Sequence, residues 1–320
     1  MTDILPPLPE EFLAKLEQLV PADRLDAVRA SYCVEKPTSF RVNTLKAGID
    51  EVRAELEAEG FQLQPVDWFQ GAFTLMDNSQ RRALTETAAF YDGRIYIQNL
   101  SSMIAPLLLA PQPEETVLDL AAAPGGKTLL MAAMMDNRGT LNAVEAVKGR
   151  YFKLKANLEQ QGASMVRTYL TDGRSVGSKC PEMFDRVLLD APCSSEARFS
   201  RLDPASWAHW SPRKVKETAH KQKRLLQSAL YSLKPGGCLI YCTCALSPEE
   251  DEMIVHAQLH KFGDAIEVEP VELPFDNWLP GVTQWGKKTL DPQVERTVRI
   301  LPSAEMDGFY ISKLRKHRSF

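Results

Sequence analysis

The stretch that most constrains this chain runs from Val117 to Thr128 and reads VLDLAAAPGGKT. A short apolar run ends in small residues and Pro-Gly-Gly, and the amphipathic segment LLMAAMM follows, which predicts a strand, a tight loop and a helix. Such a first βα turn of a doubly wound sheet places bare backbone and a helix N-terminus above the carboxyl end of the strand. Alanine and glycine leave this backbone open to close approach by a nucleotide-like ligand.

Three ligand classes compete for this turn. A phosphate-binding P-loop requires glycine at the position of Ala121, and the dinucleotide fingerprint G-x-G-x-x-G is also missing. S-adenosylmethionine remains, because it presents an adenosine and carries no phosphate. A glycine-rich turn without any ligand stays the alternative on this stretch alone. The predicted cofactor contacts of the turn are Ala121, Ala122, Ala123, Pro124, Gly125, Gly126 and Lys127.

The order of predicted elements indicates an α/β protein of two domains. Residues 1–110 read as a small α/β unit, and Pro111-Gln112-Pro113 is the predicted seam. Residues 111–320 alternate strands and helices and predict a Rossmann-like, mostly parallel sheet of about seven strands. The first residues, Met1 to Pro7, lack a basic region followed by an apolar one, so no secretory signal is expected.

Acidic residues recur where the strands of the second domain are predicted to end. Glu145 closes the second strand and could accept hydrogen bonds from both ribose hydroxyls of a cofactor. Asp172 closes the third strand and could accept from an adenine amino group, with Gly173 leaving room for the ring. Asp190 closes the fourth. Single acids at strand ends are usually helix caps or solvated turn residues, but ligands of open α/β sheets bind at this edge.

Two cysteines carry the candidate chemistry. Cys193 follows Asp190-Ala191-Pro192, and Cys244 follows Thr243, so each lies just beyond a predicted strand end. Thiolates are strong nucleophiles, and a polar strand end can lower the thiol pKa. Buried core cysteines are the alternative. Packing roles are predicted for the other four cysteines, Cys33, Cys180, Cys238 and Cys242, and the pair His256 and His260 lacks a third ligand, so no metal is expected.

The net charge of −4 hides an asymmetry. Residues 1–110 hold 10 Lys and Arg against 16 Asp and Glu, whereas residues 111–320 hold 28 against 26. A basic run between residues 198 and 224 could neutralise several phosphates of a polyanion, and a solvated helix face is the alternative. Its basic residues are Arg198, Arg201, Arg213, Lys214, Lys216, Lys221, Lys223 and Arg224.

Together these motifs resemble the Nol1/Nop2/Sun family of RNA cytosine-5 methyltransferases. The resemblance is carried by the opening turn, by the Asp-Ala-Pro-Cys loop at 190–193, by YCTCALSPEE at 241–250, by FRVN at 40–43, and by Gln98 with Ser101-Ser102. It spans nearly the whole chain and is strongest to the bacterial ribosomal RNA methyltransferase F group. It implies an S-adenosylmethionine-dependent methyltransferase fold and formation of 5-methylcytosine through a covalent cysteine–C6 adduct.

The resemblance also assigns roles that the spacing alone could not rank. Cys244 would add to C6 of cytosine, Asp190 would hold the base edge, and Cys193 would assist release of the C5 proton. Arg150 matches an arginine on the cofactor side, although a surface arginine is the alternative. The implied partner is RNA whose base can be unstacked, with ribosomal RNA favoured over transfer RNA, free or within a ribosomal subunit or its precursor. The unit at 1–110 is expected to position the RNA. We expect a monomer, no membrane contact because no apolar run is long enough to span a bilayer, and a cytoplasmic location because the cysteines fit a reducing compartment.

The chain departs from the family at several positions. The family usually has Ser-Gly after the Pro-Cys of the loop, where this chain has Ser194-Ser195-Glu196, so a stiffer, charged loop and altered target fit are expected. Ala245 replaces a usual serine. The chain ends soon after a predicted strand at Phe309, so we expect no additional C-terminal RNA-binding domain. Two rival functions remain: a non-catalytic RNA-binding ribosome-assembly factor, and amino-group methylation, which would prefer an Asn/Asp-Pro-Pro-aromatic loop.

Overall fold

The computed structural model describes residues 5–320. Residues 1–4, which form part of the stretch for which no secretory signal is expected, lie outside the described residues. Within 5–320, no helix is long and apolar enough to cross a membrane.

Five α-helices and a small antiparallel sheet form the described N-terminal part. The sheet order is β2-β3-β1-β4, and α3 packs on it through Val52 and Leu56 against Phe40 and Phe73. The elements are α1 (Glu10–Leu19), α2 (Ala22–Ser31), β1 (Ser39–Val42), α3 (Ile49–Ala58), β2 (Leu63–Pro65), β3 (Ala72–Leu75), α4 (Arg81–Leu84), α5 (Ala88–Tyr91) and β4 (Ile95–Ile97).

The rest of the chain alternates helices and strands as its sequence predicts. Its elements are α6 (Leu100–Leu109), β5 (Thr116–Asp119), α7 (Gly126–Met134), β6 (Thr140–Glu145), α8 (Lys148–Gln160), β7 (Val166–Leu170), α9 (Val176–Lys179), β8 (Phe184–Asp190), α10 (Pro212–Ser232), β9 (Leu233–Thr243), α11 (Glu252–Phe262), β10 (Ile266–Glu269), β11 (Trp278–Pro280), β12 (Gln284–Trp285), β13 (Lys288–Thr289), β14 (Val298–Ile300) and β15 (Phe309–Lys316).

The central sheet confirms the Rossmann-like prediction and is wider than expected. Its order is β11-β14-β15-β9-β8-β5-β6-β7, with β10 also paired to β15, which makes nine strands among the described residues rather than about seven. The five strands from β9 to β7 are parallel, and the others are antiparallel. The extra strands have only three or four residues, which is too short for a clear periodic pattern.

The sequence Lys234-Pro235-Gly236-Gly237 is typical of a stop after a helix, and α10 ends just before it at Ser232. The four residues lie within β9, which already begins at Leu233. The pairing of β9 with β8 shifts register at this point, and Gly236 has a φ of +80°, so the glycines allow an irregular strand instead of ending it.

The sheet is covered on both faces, so its strands are buried and its carboxyl edge is free for a site. Residues of α6, α7 and α8 share one apolar core with the strands, and residues of α9, α10 and α11 share the other. The chain crosses from β7 to β8 on the far side of β5, which makes the end of β5 the topological switch point where ligands of such sheets bind.

Helix α1 packs against loops of the C-terminal part. Phe12 and Leu16 form an apolar cluster with Phe199 and Leu246. Lys15 Nζ donates to Ser247 Oγ at 2.9 Å and to Glu249 Oε2 at 3.1 Å. These contacts join the start of the chain to the loop after β9, and the domain boundary at residue 110 stays a prediction.

Candidate active site

The glycine-rich turn fits tightly between the two parts of the chain. Gly125 has a φ of +115°, and α7 begins at Gly126. A Cβ on Gly126 would lie 3.0 Å from Tyr96 Cε1 and 3.2 Å from Gln98 Cδ, so only glycine lets the helix start this close to β4. Arg41, which is fully buried, donates from Nη2 to Gly126 O at 3.2 Å and from Nε to Gln98 Oε1 at 3.0 Å.

A cavity of about 450 Å³ opens at the carboxyl edge of the sheet, between this turn and the two cysteine loops. Its size is typical of a small-molecule site. Cys193 and Cys244 both line it. So do most of the residues predicted to bind a cofactor, namely Ala121, Ala122, Ala123, Pro124, Gly126, Lys127, Arg150 and Asp190.

Four other predicted cofactor residues, Gly125, Glu145, Asp172 and Gly173, are not part of this lining within the described chain. Glu145 Oε1 accepts from Val147 N at 2.8 Å, and its Oε2 lies 3.9 Å from Arg150 Nε. Asp172 pairs with Arg174, whose guanidinium lowers the pKa of that carboxyl. A Cβ on Gly173 would lie 2.9 Å from Leu120 O. Their ligand roles stay predictions.

The two candidate thiols are in direct contact. Cys193 Sγ lies 3.3 Å from Cys244 Sγ, and Ser195 Oγ lies 3.5 Å from Cys244 Sγ. The hydrogen bond from Cys193 lowers the pKa of Cys244, and Ser195 and Arg198 act in the same direction. The same hydrogen bond, together with burial, raises the pKa of Cys193 well above its ordinary value. Of the two thiols, Cys244 is therefore the more readily ionised, and Cys193 is the better placed to donate the hydrogen bond between them.

Asp190 lines the cavity beside the two thiols and is held in place by the buried Lys127. Lys127 Nζ donates to Asp190 Oδ2 at 2.7 Å and to Ser102 Oγ at 2.5 Å. Burial alone would lower the pKa of Lys127, but the Asp190 carboxylate raises it above the usual value. The ammonium keeps Asp190 oriented beside the thiols, where its carboxyl oxygens can accept a hydrogen bond from a bound base.

Glu196, in the stretch Ser194-Ser195-Glu196 that departs from the family, is fully buried and is not among the described residues that line the cavity. The effect of the departure on target fit stays a prediction. The Glu196 carboxylate accepts from Leu246 N at 3.0 Å, from Ser247 N at 2.7 Å and from Trp210 Nε1 at 2.9 Å. Glu196 thus ties the Cys193 loop to the Cys244 loop.

Glu250 holds the Cys193 loop through hydrogen bonds. Its Oε1 accepts from Ser194 N at 3.0 Å and from Gln222 Nε2 at 3.1 Å. Burial raises the pKa of Glu250 to about 7. Gln222 also donates to Pro192 O at 2.9 Å, so α10 lies directly beside the Cys193 loop.

Asp119 is a site residue that is not among those predicted from the sequence. It lines the cavity, and its Oδ2 accepts from Thr128 Oγ1 at 2.7 Å. Its Oδ1 is buried and has no hydrogen-bond partner in residues 5–320, and burial raises its pKa to about 7. Asp119 ends β5 just as Glu145 ends β6. The rule that ligands of such sheets bind at the carboxyl ends of the strands therefore indicates both residues.

A basic face extends from the site along α10. Six of the predicted basic residues, Arg213, Lys214, Lys216, Lys221, Lys223 and Arg224, are exposed on it. Glu217 pairs with Arg213 at 3.1 Å and lies 3.9 Å from Lys214. Arg201 does not belong to this face, because it donates to the backbone oxygens of Leu5 and Pro6.

Two protein-family descriptions match consecutive parts of the chain. Residues 8–100 match the N-terminal domain of 16S rRNA methyltransferase RsmF, and residues 106–315 match the 16S rRNA methyltransferase RsmB/F family.

Individual relatives agree with these matches. Ribosomal RNA small subunit methyltransferase F of Vibrio atlanticus is 38% identical over 313 residues, which are 97% of this chain and 64% of the relative. The protein of that name from Pectobacterium carotovorum is 37% identical, with 98% and 63% covered. The chain thus spans less than two thirds of these relatives. The solved methyltransferase homolog protein from Pyrococcus horikoshii is 33% identical with a TM-score of 0.79, and 97% of this chain and all of that one are covered.

Proposed function

Because the chain belongs to the 16S rRNA methyltransferase RsmB/F family, we propose that it transfers a methyl group from S-adenosylmethionine to C5 of a cytosine in RNA. Membership confirms the family predicted from the sequence. The observation that carries the proposal is the contact between Cys193 and Cys244, at 3.3 Å, in the cavity of the glycine-rich turn. Ribosomal RNA of the small subunit is the proposed substrate, as in the names of the relatives.

The chemistry explains why two thiols are needed. C5 of cytosine is a weak nucleophile, and addition of the Cys244 thiolate to C6 forms a C–S bond and moves the ring π electrons towards C5. Asp190 holds the base edge in the form that accepts this addition. Once C5 is methylated, its proton must leave to a base, and the returning electron pair then expels Cys244 from C6. Cys193 is placed to be that base in its thiolate form, after its own proton has passed to solvent. Cys193 therefore acts in proton transfer while Cys244 carries the covalent bond.

The cavity fits S-adenosylmethionine, which supplies an electrophilic methyl group when bound. Asp119 Oδ1 has no hydrogen-bond partner within the described residues, and the ammonium group of S-adenosylmethionine could donate to it. The open backbone of Ala121 to Pro124 and the N-terminus of α7 would hold the rest of the molecule, with Arg150 beside them. Glu145 and Asp172 are proposed to contact the ribose and adenine.

The target base must leave its stack to reach Cys244, so single-stranded or flippable RNA is the proposed substrate form. The basic face of α10 lies next to the Cys193 loop and would bind the flanking phosphates. The N-terminal part is proposed to position the RNA. A cytoplasmic, monomeric enzyme that acts on ribosomal RNA or on a ribosomal subunit completes the proposal.

Mapping of 5-methylcytosine tests this proposal directly. Total RNA from cells with and without the protein is sequenced after bisulfite treatment, and the purified protein is then given labelled S-adenosylmethionine with 16S rRNA, small subunits or transfer RNA. A cytosine that loses its methyl group in cells lacking the protein, and regains it in vitro, is the expected result. Methylation of transfer RNA alone would replace the substrate, and no cofactor binding in calorimetry would favour the non-catalytic assembly factor. A methylated amino group without a covalent intermediate would contradict the cysteine chemistry.

A further inference from the structure

We infer that the Ser195 hydroxyl is a hydrogen-bond donor that stabilises the Cys244 thiolate during the reaction. The inference deepens the proposed function, on which it rests. Ser195 Oγ lies 3.5 Å from Cys244 Sγ, and Ser195 lines the same cavity as both cysteines. The contact is made from the loop after β8 to the loop after β9.

The backbone of Ser195 supports a specific role for its side chain. Ser195 has φ 60° and ψ 28°, the left-handed region that glycine adopts freely and that costs other residues about 1 kcal/mol or more. Of the non-glycine residues with positive φ in 5–320, only Ser195 lines the cavity. Its conformation is enforced by neighbouring contacts, because Ser194 N donates to Glu250 and Ala197 N donates to Cys244 O at 3.0 Å.

The other groups around Cys244 show what the hydroxyl adds. Cys193 is the second donor to Cys244 Sγ, at 3.3 Å, and Arg198 and Lys127 contribute positive charge. The Asp190 carboxylate opposes the thiolate. Cys193 cannot donate while it acts as a base, whereas a serine hydroxyl does not titrate in the working pH range. Ser195 therefore keeps one donor on Cys244 through addition and elimination.

The test measures the reactivity of Cys244 without RNA or cofactor. Alkylation by iodoacetamide is followed against pH in the full chain, and peptide mass spectrometry identifies the modified cysteine. In Ser195→Ala and Ser195→Gly the midpoint for Cys244 is expected to rise by about half to one pH unit, the size of one weak hydrogen bond to a charged group. Ser178→Ala, which removes an exposed hydroxyl from α9, is expected to leave the midpoint unchanged.

The glycine variant separates the hydroxyl from the backbone. Glycine suits the left-handed conformation, so Ser195→Gly is expected to unfold at a temperature no lower than the parent protein. An unchanged midpoint in Ser195→Gly would overturn the inference, and so would a shift confined to Ser195→Ala, because that pattern points to backbone strain.

Methylation assays distinguish this outcome from failure of the proposed function. If the parent protein methylates RNA and the alkylation midpoint does not move, the inference about Ser195 fails alone. If the midpoint moves and the acid limb of the pH profile of kcat/KM moves with it, the role in the reaction is supported. A moved midpoint without any methylation by the parent protein would leave the contact in place and overturn its role in methyl transfer.

Discussion

Cys193 Sγ and Cys244 Sγ lie 3.3 Å apart, although 51 positions separate them in the sequence. The contact follows from the register of two adjacent parallel strands, in which Asp190 of β8 pairs with Cys242 of β9. Each cysteine lies two or three residues beyond that pair, so both loops reach the same point above the sheet.

Replacement of Cys244 and replacement of Cys193 are expected to have opposite effects on the amount of covalent protein–RNA adduct. Cys244→Ala removes the nucleophile and should lower methyl transfer by roughly a thousand-fold or more, with cofactor binding kept. Cys193→Ala should let addition and methylation proceed but slow elimination, so a covalent protein–RNA adduct accumulates. Denaturing gels with labelled RNA detect the adduct, and Cys180→Ala is the control. Full turnover by Cys244→Ala would refute the assignment of the nucleophile.

Asp190→Asn separates base binding from thiol ionisation. The Asp190 carboxylate raises the pKa of Cys244, so its neutralisation should move the alkylation midpoint of Cys244 to lower pH. Methyl transfer should nevertheless fall by about 10²–10³-fold, as for removal of one preorganised polar contact to the reacting group. Single-turnover rates and alkylation profiles measure the two effects. A lower midpoint with an undiminished methylation rate would show that Asp190 acts on the thiol alone and does not hold the base.

Asp119→Asn tests the site that binds the cofactor. Removal of the carboxylate charge should weaken S-adenosylmethionine binding by roughly 10–100-fold, the value of one charge-assisted hydrogen bond. The Thr128 contact can be kept, because asparagine still offers one acceptor oxygen. Isothermal titration calorimetry provides the measurement, with Asp136→Asn on an exposed turn as the control. Equal affinity in the two variants would exclude Asp119 from the cofactor site.

The raised pKa of Glu250 predicts how stability depends on pH. In the folded protein Glu250 keeps its proton up to about pH 7, whereas the unfolded chain loses it near the ordinary value of 4.5. The folded state therefore binds more protons between these values, and the free energy of unfolding falls as pH rises through this window. Glu250→Gln should reduce that fall by at most about 3 kcal/mol. Urea denaturation from pH 4.5 to 8 checks it, and an unchanged slope would contradict the shift.

The exposed face of α10 predicts a change in the salt dependence of RNA binding. Lys216→Gln with Lys223→Gln should weaken binding and lower the slope of log K against log salt by roughly one for each phosphate that the variant no longer neutralises. Replacing Arg213 and Glu217 together with glutamine removes an ion pair without a net change in charge and serves as the control. A slope equal to that of the parent protein would identify this face as a solvated surface.

The strand ends could be predicted because strand periodicity and turn residues are local. The glycine-rich turn, Asp190 and both cysteine loops follow directly from where apolar runs stop. The cofactor contacts are predicted less well. Asp119 also lies at the carboxyl end of a strand, yet it is not among the predicted site residues. Glu145 and Asp172 are predicted from the same kind of position, yet their carboxylates contact neighbouring residues at distances that only the fold determines.

The acidic run at 249–252 shows what the sequence cannot reveal. Four consecutive acids resemble a solvated loop, yet three of them are fully buried. Each has partners on a different element: Glu249 pairs with Lys15, Glu250 with Ser194, Asp251 with Thr243, and Glu252 with the buried Arg299. Such burial is stable only with these partners, and nothing in the local sequence identifies them.

The contact of Lys15 with Ser247 joins positions 232 residues apart. Because translation proceeds from the N-terminus, α1 leaves the ribosome long before the loop that covers its apolar side has been made. Phe12 and Leu16 cannot be buried by Leu246 until that loop has been made, and contacts between residues so far apart in the sequence form slowly. Docking of α1 is therefore expected to be a late step of folding, which takes place only after the loop up to Glu249 has been synthesised, and the loop that carries Cys244 is held by α1 only from then on.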